Sequence, residues 1–320
     1  MIILALKIIF GLVVLALAAD KFVDGASGLA RNLGISKIVV GLVIVGFGTS
    51  APELLVSLQA ALEGKPGLAI GNGLGSNISN IALVVGVTAM IRALPVASGV
   101  VRREFPYLGF ATIVTLALIS DGGLSRFDGI AMVGLLLFML ARLVRLSSRA
   151  SPADPVVKEA EQAIGETPST KLSWTWALVG LAGMLIGSRL LVDGATGIAV
   201  LFDVPNFIVG LTITAIGTSA PELAASIASA RRGETDLVIG NVIGSNLFNT
   251  LAVLGIPAIF VPYEVPAGVL SRDFPIMIVL TGLLFLASLT PRGKGIINRR
   301  EGMMFVLAFF AYQVLLLLTA

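Results

Sequence analysis

The stretch "GTSAPE" at residues 48–53 recurs letter for letter at residues 217–222, both times inside strongly apolar sequence. A proline inside a helix removes a backbone hydrogen bond and crowds the preceding turn. A charged side chain at the centre of a membrane helix costs roughly 2.5–3.5 kcal/mol on insertion scales. A chain that accepts both penalties twice needs the broken backbone and the buried charge for one purpose.

The repetition extends outward from this stretch with an offset of 169 residues. Between 48–80 and 217–249, 18 of 33 positions are identical without a gap. "VDGA" at 23–26 returns at 192–195, and "REFP" at 103–106 returns as "RDFP" at 272–275. The chain is therefore read as two copies of one unit, 1–146 and 172–320. They are joined by a polar, proline-containing linker at 147–171 that shows no apolar stripe.

Composition places both copies in a membrane. Hydrophobic residues make up 56% and charged residues 13% of the 320, with a mean hydropathy of +0.99. Soluble domains carry about 25% charged residues. The apolar runs match the ~20 residues that cross a bilayer as a helix, and they lack the short alternating strands of a barrel. Spans are expected near 2–19, 37–62, 67–91, 104–120, 127–146, 173–192, 205–230, 237–261, 273–290 and 302–319. The fold class is thus an all-α integral membrane protein of ten transmembrane helices in two five-helix repeats. Five spans per repeat is odd, so the second repeat enters the membrane from the opposite side, as in many secondary transporters. "ALA" at 16–18 resembles a signal-peptide cleavage site. The matching segment at 180–196, in mid-chain, argues that the first helix is retained.

Of the 22 Lys and Arg residues, 17 fall on one set of loops, leaving Lys7, Lys65, Arg126, Arg189 and Arg272 on the other. The positive-inside rule then sets both termini outside. With neither cysteine nor histidine, disulfides, thiolate chemistry and imidazole catalysis are excluded. A net charge of +3 gives no argument for nucleic acid.

On this map Glu53 and Glu222 are the acidic residues well inside spans. The remainder, including Asp20, Asp24 and Asp193, are expected in loops or near helix ends. Inverted symmetry brings the two glutamates together near the bilayer midplane. Adjacent carboxylates repel unless a cation or proton lies between them, and a hard cation such as Ca²⁺ takes six to eight oxygens. Thr49, Ser50, Thr218 and Ser219 supply hydroxyls. Pro52 and Pro221 each free a carbonyl about one turn earlier, near Gly48 and Gly217. In "GNGLGSNISN" (71–80) and "GNVIGSNLFN" (240–249), Ser76 with Asn80 and Ser245 with Asn249 share a helix face. Asn80 and Asn249 are expected to meet ions or water. Asn72, Asn77, Asn241 and Asn246 are expected to satisfy backbone at breaks. The glycines of these segments are expected to pack helices closely.

The paired GTSAPE and GN-x-x-GSN segments resemble the α-repeats of the cation/calcium exchanger superfamily, in its sodium/calcium exchanger branch. The resemblance covers nearly the whole chain and implies Na⁺-driven Ca²⁺ antiport by alternating access in a prokaryotic cytoplasmic membrane. It implies Ca²⁺ and Na⁺ as transported substrates, no cofactor and no enzymatic activity. It assigns Glu53 and Glu222 as shared Ca²⁺/Na⁺ ligands, with Thr49 and Thr218 beside them. Ser50, Ser219, Ser76 and Ser245 belong to flanking Na⁺ sites, Asn80 lines the centre, and the Gly46 and Ala215 carbonyls fit outlying Na⁺ positions. The first and sixth spans are implied to slide across the core. Some members carry aspartate where this chain has Asn249, which leaves two buried carboxylates and argues against potassium coupling. A proton-coupled or other divalent-cation exchanger of the same fold is the alternative. An intramembrane protease and a passive channel fit less well, for want of histidine and because broken inverted helices suit alternating access.

Overall fold

The structure is a computed structural model that describes residues 1–148, 168–202, 215–266, 268–289 and 294–319. Its first half runs through α1 (Ile2–Leu33), α2 (Lys37–Val40), a π turn over Gly41–Val45, α3 (Gly46–Thr49) and α4 (Ala51–Leu62). It continues with α5 (Pro66–Ser79), a π turn over Asn80–Val84, α6 (Val85–Ile91), β1 (Leu94–Ala97), α7 (Ser98–Ile119), β2 (Gly123–Leu124) and α8 (Arg126–Ser148). The second half contains α9 (Thr170–Leu201), α10 (Ala215–Thr218), α11 (Ala220–Arg231), α12 (Thr235–Phe248), a π turn over Asn249–Val253 and α13 (Gly255–Phe260). It ends with β3 (Tyr263–Glu264), a π turn over Val269–Asp273, α14 (Phe274–Ser288), β4 (Lys294–Ile297) and α15 (Arg299–Thr319). Two short antiparallel ribbons tie the connections together, β1 with β4 and β2 with β3.

Among the described residues, seven helices are long and apolar enough to cross a membrane. The pair Lys37–Thr49 and Ala51–Leu62, bent by 42°, makes an eighth. Helix α7 occupies the expected 104–120 span. Of the expected 205–230 span, 205–214 lie outside the described residues, as do 149–167 of the linker.

The first and sixth spans differ from expectation. They do not stop at 19 and 192 but run to Leu33 and Leu201 as helices of 32 residues each. At about 1.5 Å per residue, each outreaches the roughly 30 Å hydrocarbon core, so its far end stands beyond the apolar zone. Asp20, Lys21 and Asp24 make the segment read as a loop, but Phe22, Val23, Ala26, Leu29 and Ala30 recur at helical spacing and are buried. The helix stops at Gly34, whose φ of 63° suits a left-handed cap and whose N–H bonds the carbonyls of Ala30 and Arg31. Asp20, Asp24 and Asp193 therefore lie within helices.

Spans were expected to start near the "REFP" and "RDFP" segments, and neither does so: the helical spans begin at Ser98 and Val269. Pro275 opens α14 after a π turn, whereas Pro106 lies inside α7, which begins at Ser98. Their neighbours Glu104 and Asp273 are both buried. Asp273 accepts from Arg272 Nε at 2.7 Å and Tyr312 Oη at 3.1 Å, while Glu104 Oε2 has no hydrogen-bond partner among the described residues.

The buried apolar side chains form two main bodies. One joins residues of α2 and α5–α8 with those of α12–α15. The other is centred on α1 and α9 and takes in Val40 and Val45 of the first half, Leu237 of α12 and small residues of α11, Ala220, Ala225 and Ala228. Helices α1 and α9 cross almost in backbone contact: a Cβ on Gly11 would lie 2.7 Å from Gly187 O, and one on Gly25 2.6 Å from Ser173 O. Gly240 and Gly244 pack against Ile38, Gly41 and Leu42, as expected for them. Gly71 and Gly75 meet no described atom within 4 Å.

Overpacking a close crossing costs ~1–3 kcal/mol. A Cβ at Gly41 would sit 2.8 Å from Leu237 O, whereas Gly109 faces no described atom within 4 Å. Gly41→Val should lower the melting temperature of the detergent-solubilised protein, and Gly109→Ala should leave it unchanged or raise it. Equal melting temperatures would show that the two halves do not meet at Gly41.

Candidate functional site

Each "GTSAPE" stretch is a helix break, and the two breaks are twins. Ser50 (φ −84°, ψ 3°) ends α3 and opens α4, and Ser219 (φ −85°, ψ 5°) opens α11 after α10. Pro52 and Pro221 sit in the first turns of the new helices, where a missing N–H costs nothing. That placement puts Glu53 and Glu222 in the first turn of their helices, at the positive end of the helix dipole. Their exposures are 0% and 1%.

The next helices bring the amides. Asn80 and Asn249 each begin a π turn, a local widening that recurs at functional sites. The turn at Asn249 packs on α4, which carries Glu53, and the turn at Asn80 packs on α11, which carries Glu222. The halves therefore interlock around the glutamates, and Ser50 of the first half bonds Glu222 of the second.

Hydrogen bonds fix part of this centre. Ser76 Oγ donates to Glu53 Oε1 at 3.5 Å, and Ser50 Oγ reaches across the halves to Glu222 Oε1 at 3.3 Å. Thr49 Oγ1 donates to Val45 O at 3.0 Å and lies 3.4 Å from Ser245 Oγ. Asn72 Nδ2 holds Glu53 O at 2.9 Å and Ser57 Oγ at 2.9 Å. Asn241 Nδ2 repeats the pattern on Glu222 O at 3.3 Å and Ser226 Oγ at 3.0 Å. These two asparagines hold backbone at the breaks as expected. Asn77 does not: it donates to Thr250 Oγ1 at 2.8 Å.

Other groups are buried without a hydrogen-bond partner among the described residues. Around the breaks and the following helices these include Glu53 Oε2, Glu222 Oε2, Ser219 Oγ, Asn77 Oδ1 and both side-chain polar atoms of Asn80, Asn249 and Asn246. Such groups are rare in folded proteins and call for an ion, a water or a function. Asn246 was expected to satisfy backbone and has no such bond.

Of the remaining expected ligands, Thr218 is 8% exposed, and Ala215 is the first residue of α10. The Gly46 carbonyl is engaged within the protein: it accepts Ser50 N at 3.1 Å and Ser245 Oγ at 3.4 Å. A Cβ on Gly46 would lie 2.8 Å from Ser245 N, so this glycine also admits α12 to the site.

One contact escaped sequence reading. Ser188 of α9 donates its hydroxyl to Gly217 O at 2.6 Å, at the second break. Its counterpart in the first repeat is Ala19, which has no hydroxyl, so the repeat itself gives no signal for Ser188. Val192 and Leu181 of the same helix cover Gly217 and Gly48. Helix α9 thus lies over both breaks.

Helix breaks around a pair of buried carboxylates are features of secondary transporters that handle cations. A family description, sodium/calcium exchanger protein, matches residues 3–145 and 172–318, and the chain belongs to that family. It is accordingly an integral membrane transporter and not an enzyme. CaxA of Alkalimonas amylolytica is 43% identical over 316 residues, covering 99% of each chain. The sodium/calcium exchanger MaX1 of Methanosarcina acetivorans is 29% identical over 345 aligned positions, covering 97% of each. The solved structure of the sodium-calcium exchanger NCX_Mj soaked with 2.5 mM Na⁺ and 0.1 mM Ca²⁺ superposes with a TM-score of 0.83 at 30% identity, covering 97% of each chain.

Losing a partner of a buried carbonyl costs about 1–3 kcal/mol. Asn241 is 1% exposed, while the bonds of Asn72 are only partly buried. Asn241→Ala should therefore lower thermal stability more than Asn72→Ala. The reverse order, measured by unfolding in detergent, would show that the second break is not held by its amide.

Proposed function

We propose that the protein exchanges Ca²⁺ for Na⁺ across the membrane by alternating access, at a midplane site centred on Glu53 and Glu222. The observation that carries this reading is the pair of buried carboxylates at the helix breaks, each with an oxygen that no described residue bonds. Membership of the sodium/calcium exchanger family supports the choice of ions. On this reading the chain has ten spans in two inverted five-helix repeats, 1–146 and 172–320, joined by a cytoplasmic linker at 147–171. Both termini lie outside a prokaryotic cytoplasmic membrane.

Each residue has a role that follows from its chemistry. Glu53 and Glu222 supply two negative charges, which balance one Ca²⁺ or two Na⁺. Thr49 and Thr218 add oxygens beside them. Ser50, Ser76, Ser219 and Ser245 complete flanking Na⁺ positions, together with the Gly46 and Ala215 carbonyls. Reaching Gly46 O requires an ion to replace the hydroxyl that Ser245 now donates. Asn80 and Asn249 supply neutral oxygens at the centre. A Ca²⁺ or a set of Na⁺ neutralises the carboxylates, and the loaded or exchanged site is then uncovered to the other side. An empty, doubly charged site resists that movement, which enforces exchange.

In proteoliposomes holding the purified protein, an outward Na⁺ gradient should drive ⁴⁵Ca²⁺ uptake. Glu53→Gln and Glu222→Gln should each remove nearly all of it while the protein still elutes as a folded species. Uptake driven equally well by a proton gradient without Na⁺ would favour the proton-coupled alternative, and wild-type rates in both mutants would refute the site.

Acid should act as a competitor. A protonated carboxylate has no charge to offer, so lowering pH should weaken apparent Ca²⁺ affinity and leave the maximal rate largely intact. An affinity that stays flat as pH falls would exclude the glutamates as ligands. Asn249→Asp adds a third carboxylate, which can be tolerated only by binding a proton or another cation. Its uptake should depend more steeply on pH than that of the wild type. Superimposable profiles would place Asn249 away from the ions.

A further inference from the structure

We propose that two ion-pair latches of exchanged sign, Arg232 with Asp20 and Asp24, and Glu63 with Arg189, alternately lock α1 and α9 against the rest of the molecule. The proposal rests on the inverted-repeat, alternating-access reading above.

The first latch is closed in this structure. Arg232 directly follows α11, with its Nε 3.5 Å from Asp20 Oδ1 and its Nη1 bonded to Asp24. Asp20 and Asp24 are four residues apart and so share one face of α1. Helix α1 packs along α11 at the same place, whereas α9 has no comparable packing on α4, the equivalent pair. The structure thus holds one of two related arrangements.

The second latch is open. The offset of 169 residues makes Glu63 the counterpart of Arg232, Arg189 that of Asp20 and Asp193 that of Asp24. The backbones that carry residues 63 and 232 are alike. Glu63 (φ −82°, ψ 3°) caps α4 and Arg232 (φ −83°, ψ −4°) caps α11, and each precedes a glycine at positive φ, Gly64 at 72° and Gly233 at 80°. Only the side chains differ. Glu63 here accepts Lys65 Nζ at 2.8 Å and Gln59 Nε2 at 2.8 Å. Arg189 forms no ion pair among the described residues, and it and Asp193 are exposed.

Alternating access moves one bundle against another around the site, and two repeats of nearly the same sequence can take up each other's arrangement. Helix α9 then takes towards α4 the place that α1 now holds towards α11, and Arg189 meets Glu63. Both partners have changed sign relative to the first latch, so attraction is retained. A change on one side alone would have set like charges together. Asp193 lies one turn from Arg189 on α9, and Lys65 lies two residues beyond Glu63. The closed second latch would therefore hold two cations and two anions.

The latches fall on opposite sides of the membrane. In the orientation with most basic residues inside, Arg232 is inner, while Lys65 and Arg189 are two of the five outer exceptions. Closure at Arg232 seals the inner side, so this structure corresponds to outward access. The close backbone crossing of α1 and α9 and their alanine-lined contact with α11 suit a pair that moves together.

The chain has no cysteine, so engineered pairs report without background. Na⁺-driven ⁴⁵Ca²⁺ uptake of the wild type is measured first, and its absence refutes the antiport reading itself. Given antiport, Asp24→Cys with Arg232→Cys and Glu63→Cys with Arg189→Cys are each treated with a short bis-methanethiosulfonate reagent, in Na⁺ and in Ca²⁺. Both pairs should cross-link, each should stop uptake, and reductant should restore it. Separately, Arg189→Glu should slow uptake about two- to fivefold, the scale of an exposed ion pair, and adding Glu63→Arg should recover it. If 24 and 232 cross-link but 63 and 189 do so under neither ion condition, the second latch does not form. A double reversal no faster than Arg189→Glu alone overturns the electrostatic pairing even where the cross-link succeeds.

Discussion

Two carboxylates are buried inside an apolar molecule, and the surrounding architecture answers that constraint. Neither Glu53 nor Glu222 has a basic side chain as hydrogen-bond or ion-pair partner among the described residues. A lysine or arginine there would neutralise one carboxylate permanently and leave nothing to transport. Asp273, elsewhere in the same protein, is partnered instead, accepting hydrogen bonds from Arg272 and a tyrosine hydroxyl. Carboxylates left without a basic partner are the feature on which the proposed cation site rests.

Holding such a centre open requires rigid support, and the backbone breaks provide it. At each break a proline starts a new helix in which the glutamate lies in the first turn, and an asparagine from the following helix clamps the glutamate's own carbonyl. The π turns at Asn80 and Asn249 bring a second pair of amides towards the opposite half. The core around these elements is one apolar body, and α1 with α9 is another. Ser188 bonds a carbonyl of the second break from that outer body, so the cover and the site touch through a group that a small displacement would release.

Much of this was legible in sequence because it depends on local chemistry. A proline beside a glutamate within an apolar run, present twice, marks both the breaks and the carboxylates. Asn80 and Asn249 followed from helical spacing. What sequence did not disclose depends on tertiary partners. Residues 20–33 read as a loop because Asp20 and Asp24 look costly in a helix, yet Arg232, more than 200 residues away, pairs with them. Ser188 has alanine as its counterpart, so comparing the repeats hides it. Glu104 and Asp273 stand at the expected edges of spans, and only packing shows them buried.

Symmetry in the sequence therefore coexists with asymmetry in the structure. The breaks and their clamps are nearly identical twins, while α1 packs along α11 more extensively than α9 packs along α4. A transporter needs both properties: equivalent halves permit two states of similar energy, and unequal engagement defines which one is occupied.

Anomalous diffraction from crystals of the protein soaked in Sr²⁺, a heavier stand-in for Ca²⁺, tests the central claim most directly. The account predicts one dominant peak between Glu53 and Glu222, at about the 2.3–2.6 Å typical of Ca²⁺–oxygen contacts or slightly longer. It also predicts loss of that peak in Glu53→Gln crystals. A dominant peak elsewhere, or one that survives the substitution unchanged, would contradict it.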